Sequence, residues 1–183
     1  MVLFHQHLLA RKPRHLLLSG HTLLELMLVV SIIGLLSMLA LPSLVTWREE
    51  SELKHLVSTA STMAKSAKVY AITLQQPIYL VVDVTTSNCI TISENDTCSC
   101  SKLQTCHVAG QQNVLSLSDF SASLNTTSGK NRIITFNPEG TVDFGGSTSL
   151  LVSNASHHAK IVISALGRIK TCAIHHINGL AKC

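Results

Sequence analysis

The most informative stretch of the sequence is Gly20-His21-Thr22-Leu23-Leu24-Glu25, which is followed by an apolar run reaching Val45. The sixteen residues from Leu26 to Leu41 carry no charge. A helix needs about 20 apolar residues to cross the hydrocarbon core of a bilayer. A core helix of a soluble domain is rarely apolar on every face over such a length. The run therefore predicts a transmembrane helix.

Glu25 is the one charged residue between Leu23 and Val45. An ionised carboxylate inside the membrane region is disfavoured by roughly 2.5–3.5 kcal/mol even on lenient insertion scales, and such residues usually have a partner and a function. We therefore expect Glu25 to be a functional residue.

The charges are unevenly distributed along the 183 residues. Three of the basic residues that make the net charge +4, Arg11, Lys12 and Arg14, precede Gly20. Residues 21–129 hold five Lys/Arg against eight Asp/Glu, whereas residues 130–183 hold six against two. The basic character of the chain is therefore a property of its C-terminal third.

All six cysteines follow the apolar run. An even number of cysteines on one side of a membrane is typical of a domain in an oxidising compartment, where disulfides form. Basic residues before the helix orient the N-terminus toward the cytoplasm, so both features place the domain outside the cytoplasm. The disulfide candidates are Cys89, Cys98, Cys100, Cys106, Cys172 and Cys183. We expect Cys172 to pair with Cys183, and Cys89 with Cys106 or Cys98, among 15 possible connectivities.

A zinc site is the alternative use of these cysteines. Cys98 and Cys100 stand close together, Cys106 is followed by His107, and two histidine pairs occur at His157-His158 and His175-His176. The chain has no C-x-x-C pair, and the spacings match no zinc finger. Disulfides are therefore the favoured interpretation, and we expect no metal and no cofactor.

Beyond the apolar run, apolar residues recur at three- and four-residue steps from Leu53 to Leu74, which indicates an amphipathic helix. Gln75-Gln76-Pro77 ends it. One helix over residues 22–75 would be roughly 80 Å long, and Pro42 should kink it. After Pro77 the period becomes two, which is typical of strands. The predicted strands are 78–84, 89–93, 114–124, 132–136, 141–144, 150–153, 160–165 and 168–174.

The segment Thr22-Leu23-Leu24-Glu25-Leu26 after Gly20 resembles the start of the type IV pilin and type II secretion pseudopilin superfamily. The resemblance implies an α+β, pilin-like fold: a long N-terminal helix, its first half transmembrane, packed on an antiparallel β domain. It also implies cleavage after Gly20 by a prepilin peptidase and methylation of His21, where the family usually has phenylalanine. Glu25 would pair with the new amine of a neighbouring subunit, and Pro42 is also a family feature. The expected divisions are a leader (1–20), a transmembrane segment (21–46) and an extracytoplasmic domain (47–183).

The C-terminal region is similar to the FimT/GspH branch of these proteins. Ile134-Thr135-Phe136-Asn137-Pro138-Glu139-Gly140 and a strand running into Gly167-Arg168-Ile169-Lys170 carry this likeness. Members that bind DNA during uptake have the sequence Gly-Arg-x-Arg at this place, where this chain has Gly167-Arg168-Ile169-Lys170. Arg168 and Lys170, with Gly167 and Lys160, are thus candidates for binding the phosphates of double-stranded DNA. Lys130, Arg132 and Lys182 could extend this basic patch, whose alternative interpretation is a solvated strand edge that discourages edge pairing.

The sequence therefore predicts a minor pilin or pseudopilin, which starts in the bacterial inner membrane with a periplasmic domain and ends in a filament. Its expected partners are the prepilin peptidase, other pilins and a membrane assembly platform. One alternative is a structural pseudopilin of the GspH type, in type II secretion, with no nucleic-acid role. Another is an unprocessed membrane protein unrelated to filaments. No nucleophile elbow, phosphate-binding glycine loop or H-E-x-x-H motif occurs, so we do not expect the protein to be an enzyme.

Overall fold

The structure, a computed structural model, describes residues 22–183, without the side chains of residues 39–42. The predicted processing site at Gly20 and His21 lies outside the described residues, and so does the side chain of Pro42. The chain divides into two compact units, Met1–Leu41 and Pro42–Cys183. Helix α1, Leu23–Leu74, contributes residues to both.

In the first unit, the described side chains of α1 are exposed along the whole segment from Leu23 to Met38. Thr22 caps the helix: its Oγ1 accepts a hydrogen bond from the N–H of Glu25 at 3.3 Å. Threonine is a favoured residue at this position because its side chain satisfies a backbone donor that the helix leaves unpaired.

In the second unit, α1 buries one stripe of small and aliphatic residues. The predicted stripe is confirmed at Leu53, Leu56, Val57, Ala60, Ala64, Ala67 and Ala71, which are at most 1% exposed. The helix ends at Leu74 because Gln75 turns into the left-handed region, with φ +54°, and Pro77 lacks the N–H that a further helical turn would need.

Eight strands follow, and they form two antiparallel four-stranded sheets. The first sheet has the order β3-β2-β1-β5 and contains β1 (Ile78–Asp83), β2 (Cys89–Ser93), β3 (Asn113–Ser116) and β5 (Arg132–Phe136). The second has the order β4-β6-β7-β8 and contains β4 (Ser123–Thr126), β6 (Thr148–Ser153), β7 (His158–Ile163) and β8 (Ile169–Ala173). The predicted α+β, pilin-like architecture of a long helix with antiparallel β structure is confirmed.

Two of the predicted strands are wrong in detail. Residues 114–124 do not form one strand, because the chain leaves the first sheet after Ser116 and enters the second at Ser123. Residues 141–144 do not form a full strand either. Instead, the N–H of Asp143 bonds to the carbonyl of Thr135 and the N–H of Val142 bonds to the carbonyl of Ala165. This segment therefore connects β5 to the end of β7, which links the two sheets.

The main core lies between α1 and both sheets, and its largest fully buried side chain is that of Phe136. A second, smaller cluster forms around Val81 with Cys98 and Cys106. Residues 94–112, between β2 and β3, form a cysteine-rich loop that contains Cys98, Cys100 and Cys106. This loop covers the other face of the first sheet, and all five residues of β2 are buried. The residues of β2 alternate between two buried environments: Ile90 and Ile92 belong to the main core, and Cys89, Thr91 and Ser93 lie on the face that the loop covers.

The structure contains three disulfides. Cys172 pairs with Cys183, as predicted. The two partners proposed for Cys89 are both wrong, because Cys89 pairs with Cys100 and Cys98 pairs with Cys106. Cys98 and Cys106 both pack on Val81, and this brings their Cα atoms within 5.0 Å of each other. Cys100 is then the cysteine of the loop that pairs with Cys89.

Candidate functional site

Glu25 lies in the first turn of α1, and its side chain is exposed. It borders a shallow apolar depression of about 340 Å³ together with Leu26, Val29 and Val30. The carboxylate therefore stands at the edge of a hydrocarbon surface.

The transmembrane helix expected from the apolar run stays a prediction. Within the described residues, no single helix is both long and apolar enough to cross a membrane. The segments Leu23–Met38 and Ser43–Leu74 meet the requirement only when they are taken together, on length and composition alone.

The turn before β8 places Arg168. Ser164 closes this turn, because its carbonyl accepts the N–H of Gly167 at 2.9 Å and its hydroxyl accepts the N–H of Arg168 at 3.1 Å. Gly167 has φ +65°, and a Cβ on it would lie 1.9 Å from the carbonyl oxygen of Gly140. The turn therefore needs glycine for both conformation and space. Gly167 is buried, so its part in any site is to position Arg168.

Lys68 is a contributor to this turn that sequence reasoning missed. Its Nζ donates to the carbonyl oxygen of Gly167 at 3.1 Å, and its stem lies beside Gly140. In the sequence Lys68 is one of several lysines off the apolar stripe of α1, and nothing local distinguishes it from Lys65. The partner is 99 residues away, so only the fold reveals the contact.

The predicted basic residues lie on or next to one face of the second sheet. Arg168 and Lys170 are exposed and Lys160 is half-buried. Lys170 pairs with Val162 on β7, and Lys160 pairs with Cys172 on β8. Because directly opposed residues point to the same side of a sheet and side chains alternate along a strand, Lys160 and Lys170 share the outer face. The four strands of this sheet contain no Asp or Glu.

The other predicted basic residues lie around this sheet. Lys130 is exposed and Arg132 is half-buried at the start of β5. The Nη2 of Arg132 donates to the carbonyl of Gly145 at 2.5 Å. Lys182 is exposed in the C-terminal segment, where it forms an isolated bridge with Ala173 of β8.

Three glutamates directly after the predicted membrane segment anchor three different loops, and the sequence analysis did not identify them. Glu49 accepts from the hydroxyl of Ser156 at 3.1 Å. Glu50 accepts from the N–H of Asn178 at 2.9 Å. Glu52 accepts from the N–H and the hydroxyl of Ser121 at 2.5 and 3.0 Å. The run Glu49-Glu50-Ser51-Glu52 is the only signal in the sequence, and it resembles a solvated helix face.

We expect Glu50 to make folding stability depend on acidity. A hydrogen bond from Lys54, at 2.8 Å, lowers the pKa of Glu50 below its ordinary value of 4.5, against burial, and the N–H of Asn178 adds to this. A carboxyl group whose pKa is lowered by folding stabilises the protein above the unfolded pKa, and this contribution is lost as the pH falls through the folded pKa.

Glu50→Gln should therefore cost up to about 1 kcal/mol at pH 7, as for an ion pair near the protein surface, and the difference from the wild type should shrink below pH 4.5. Urea unfolding of the full chain in detergent across this pH range measures the effect. Glu139→Gln, an exposed substitution in the turn after β5, is the control. An unchanged difference between Glu50→Gln and wild type at every pH would contradict the prediction.

The zinc alternative receives no support from the structure. All six cysteines are in disulfides, so no thiolate remains to bind a metal. Within residues 22–183 no group of three or more His, Cys, Asp or Glu side chains is arranged to hold a metal ion. His158 and His175 do lie near each other, with ring centroids 5.6 Å apart.

Comparison with known proteins finds similarity to solved structures. No protein-family model matches the chain, and no curated protein sequence matches it. Among solved structures, the fold is similar to that of the type IV minor pilin FimU of Pseudomonas aeruginosa strain PAO1, seen in two crystal forms. One comparison gives a TM-score of 0.53 at 15% identity over 68% of this chain and 90% of FimU. The other gives 0.50 at 14% identity over 64% and 90%.

The structural similarity and the N-terminal motif lead to the same conclusion. The match covers nearly all of the FimU chain, and its low identity means that the similarity establishes architecture alone. The protein therefore has a pilin-like fold, similar to that of the type IV minor pilin FimU.

Proposed function

We propose that the protein is a minor pilin, a subunit that is cleaved after Gly20, methylated at His21 and built into a type IV pilus. The observation that carries this proposal is the pilin-like fold shared with the minor pilin FimU, in a chain that also contains a prepilin-like motif at residues 20–26. Its partners would be the prepilin peptidase, other pilins and a membrane assembly platform. Before assembly it would be anchored in the inner membrane, with its domain in the periplasm.

The exposed first unit supports this role. Apolar side chains from Leu23 to Met38 are 47% exposed or more, a surface that a bilayer or neighbouring helices would have to cover. In the filament, the helices of neighbouring pilins would cover the apolar surface, and Glu25 would align the subunit by pairing with the N-terminal amine of the next. The high energy of an unpaired buried charge would enforce this register.

The mass of the mature protein tests processing. We expect the chain purified from a piliated strain to begin at His21 and to carry one additional methyl group, because the peptidase recognises the glycine before the apolar run. Gly20→Ala should leave the leader attached and keep the protein out of pili, and Gly34→Ala, within the apolar run, is the control. A wild-type chain that retains residues 1–20 would support the unprocessed membrane protein instead.

The phenotype of a deletion separates the two filament systems. Loss of surface pili with normal protein secretion supports the minor pilin. Loss of secretion with normal pili supports the structural pseudopilin of type II secretion.

We further propose that the domain binds double-stranded DNA through Arg168, Lys170 and Lys160, without sequence preference. This is supported by two features: Lys160 and Lys170 share the outer face of the second sheet, and the strands of that sheet contain no Asp or Glu. Lysine and arginine contacts to phosphates release counterions, so affinity should fall steeply with salt.

The double substitution Arg168→Ala/Lys170→Ala should weaken binding of a duplex by the full chain in detergent about tenfold or more. It should also lower the slope of log K against log[salt] by about 2, since each lost phosphate contact removes about 0.9. Fluorescence anisotropy of a labelled duplex at several salt concentrations measures both. Lys65→Ala/Lys102→Ala removes two exposed lysines elsewhere and should have a small effect. Equal affinities of the two double variants would rule out this site.

A further inference from the structure

A groove of about 500 Å³ lies where the start of β6 meets the end of β7. Six of its nine lining residues are serine or threonine, and the others are Arg132, Val162 and Ile163. No Asp, Glu or aromatic residue lines it. We call this feature the hydroxyl groove, and the sequence analysis did not foresee it because its residues come from four separate segments.

Part of the hydroxyl groove is free to bind a ligand. Thr127 is occupied, since its hydroxyl donates to the carbonyl of Ser149 at 2.8 Å, and the hydroxyl of Ser164 accepts from Arg168. In contrast, the hydroxyls of Ser147 and Ser149 make no hydrogen bond among the residues that the structure describes. Ser147 is exposed and Ser149 is half-buried, so both can donate to an acceptor in the groove.

Cationic side chains flank the groove on two sides. Arg132 forms one wall, and its bond to the carbonyl of Gly145 holds the guanidinium in place. On the other side, Val162 pairs with Ser149 on β6 and with Lys170 on β8. Opposed side chains have Cβ atoms about 4.5–5.5 Å apart, so Ser149, Val162 and Lys170 form a row. The ammonium of Lys170 can therefore reach over the floor of the groove.

The nearby carboxylate of Asp143 belongs to an adjoining groove of about 400 Å³, which also borders Arg132. Its Oδ1 accepts the N–H of Phe144 at 2.8 Å. The hydroxyl groove itself therefore combines hydroxyl donors with the guanidinium of Arg132, and Lys170 lies next to its floor residue Val162. This arrangement suits an anion whose oxygens accept several hydrogen bonds.

We propose that the hydroxyl groove binds a backbone phosphate of duplex DNA between Arg132 and Lys170, in line with Arg168. Arginine, lysine and Ser/Thr hydroxyls are the usual donors to backbone phosphates. The absence of aromatic rings removes the platform on which unpaired bases stack, so the duplex backbone is favoured over a single strand. The inference rests on the DNA-binding part of the proposed function and adds Arg132, Ser147 and Ser149 to that site.

The test is Ser149→Asp in the full chain in detergent, measured by anisotropy with a fluorescein-labelled duplex. A carboxylate in the groove should repel phosphate and weaken binding about tenfold or more, with the salt slope lowered by about 1. Gln111→Glu changes the net charge equally, in the cysteine-rich loop, and should stay within about twofold of wild type. Ser147→Asp, at an exposed position, repeats the test should Ser149→Asp fail to fold.

The outcomes separate the groove from the function on which it rests. If Ser149→Asp and Ser147→Asp bind like Gln111→Glu while Arg168→Ala/Lys170→Ala is weak, the groove is not a binding site and the DNA function stands. If the wild type binds no duplex, the groove inference and the DNA function both fail, and the filament role is untouched. If an acidic polysaccharide displaces the duplex at a lower charge concentration, the groove belongs to that ligand and the inference is overturned.

Discussion

Gly167→Ala is expected to destabilise the domain by more than 3 kcal/mol, enough to remove much of the 5–15 kcal/mol by which a typical domain is stable. Two effects add. The left-handed φ of +65° costs an alanine about 1–2 kcal/mol. In addition, the new Cβ would stand 1.9 Å from the carbonyl oxygen of Gly140, a distance that backbone atoms cannot accommodate without moving.

The movement would break a chain of contacts. The turn at Gly167 would have to separate from the turn at Gly140, which removes the bond that Lys68 donates to Gly167. It would also strain the bond between Val142 and Ala165 that links the two sheets. Urea or thermal unfolding of the full chain in detergent measures the loss.

Gly129→Ala is a matched control for this substitution. Gly129 has the same φ of +65°, and a Cβ on it would meet no atom within 4 Å. It should therefore show the conformational cost alone. If the two variants unfold at the same urea concentration, the contact between Gly140 and Gly167 does not restrict the turn.

Glu25→Ala is expected to reduce incorporation into filaments at least about tenfold, a loss equivalent to 1.4 kcal/mol or more, while membrane insertion remains normal. Alanine removes the charge that would register one subunit against the next and leaves the apolar surface of α1 intact. Immunoblots of sheared pili and of membrane fractions measure the two quantities separately. Full incorporation of Glu25→Ala would refute the assembly role.

Glu25→Gln distinguishes charge pairing from helix capping. Thr22 and Glu25 have the spacing of a capping box, in which glutamine can replace glutamate, and the hydroxyl of Thr22 already accepts the N–H of Glu25. If capping is what matters, glutamine should restore incorporation. If the ion pair matters, Glu25→Gln should fail as Glu25→Ala does. Ser31→Ala is the control, because the hydroxyl of Ser31 bonds within its own helix, to Leu28.

Local patterns in the sequence predicted the helix and most strands well, but they predicted less well which sheet each strand enters. The three- and four-residue spacing predicted the buried stripe of α1, and alternation predicted strands close to β1, β2, β5, β7 and β8. The same alternation joined β3 and β4 into one strand, because a strand's period says which face is buried and not which sheet it enters. For the candidate site, the sequence identified Arg168 and Lys170 but not the groove beside them.

The sequence by itself determined the apolar run after Gly20, the place of Glu25 within it, the change from helix to strands at Pro77 and the basic C-terminal third. Each of these features depends on residues that are close together in the sequence, so a local pattern is enough to reveal it. The tertiary structure alone decided the pairing of Cys89 with Cys100, the contact of Gly140 with Gly167, and the hydroxyl groove. It also joined Glu50 to Asn178, 128 residues away. Such contacts depend on how whole elements pack together, and no local pattern in the sequence records them.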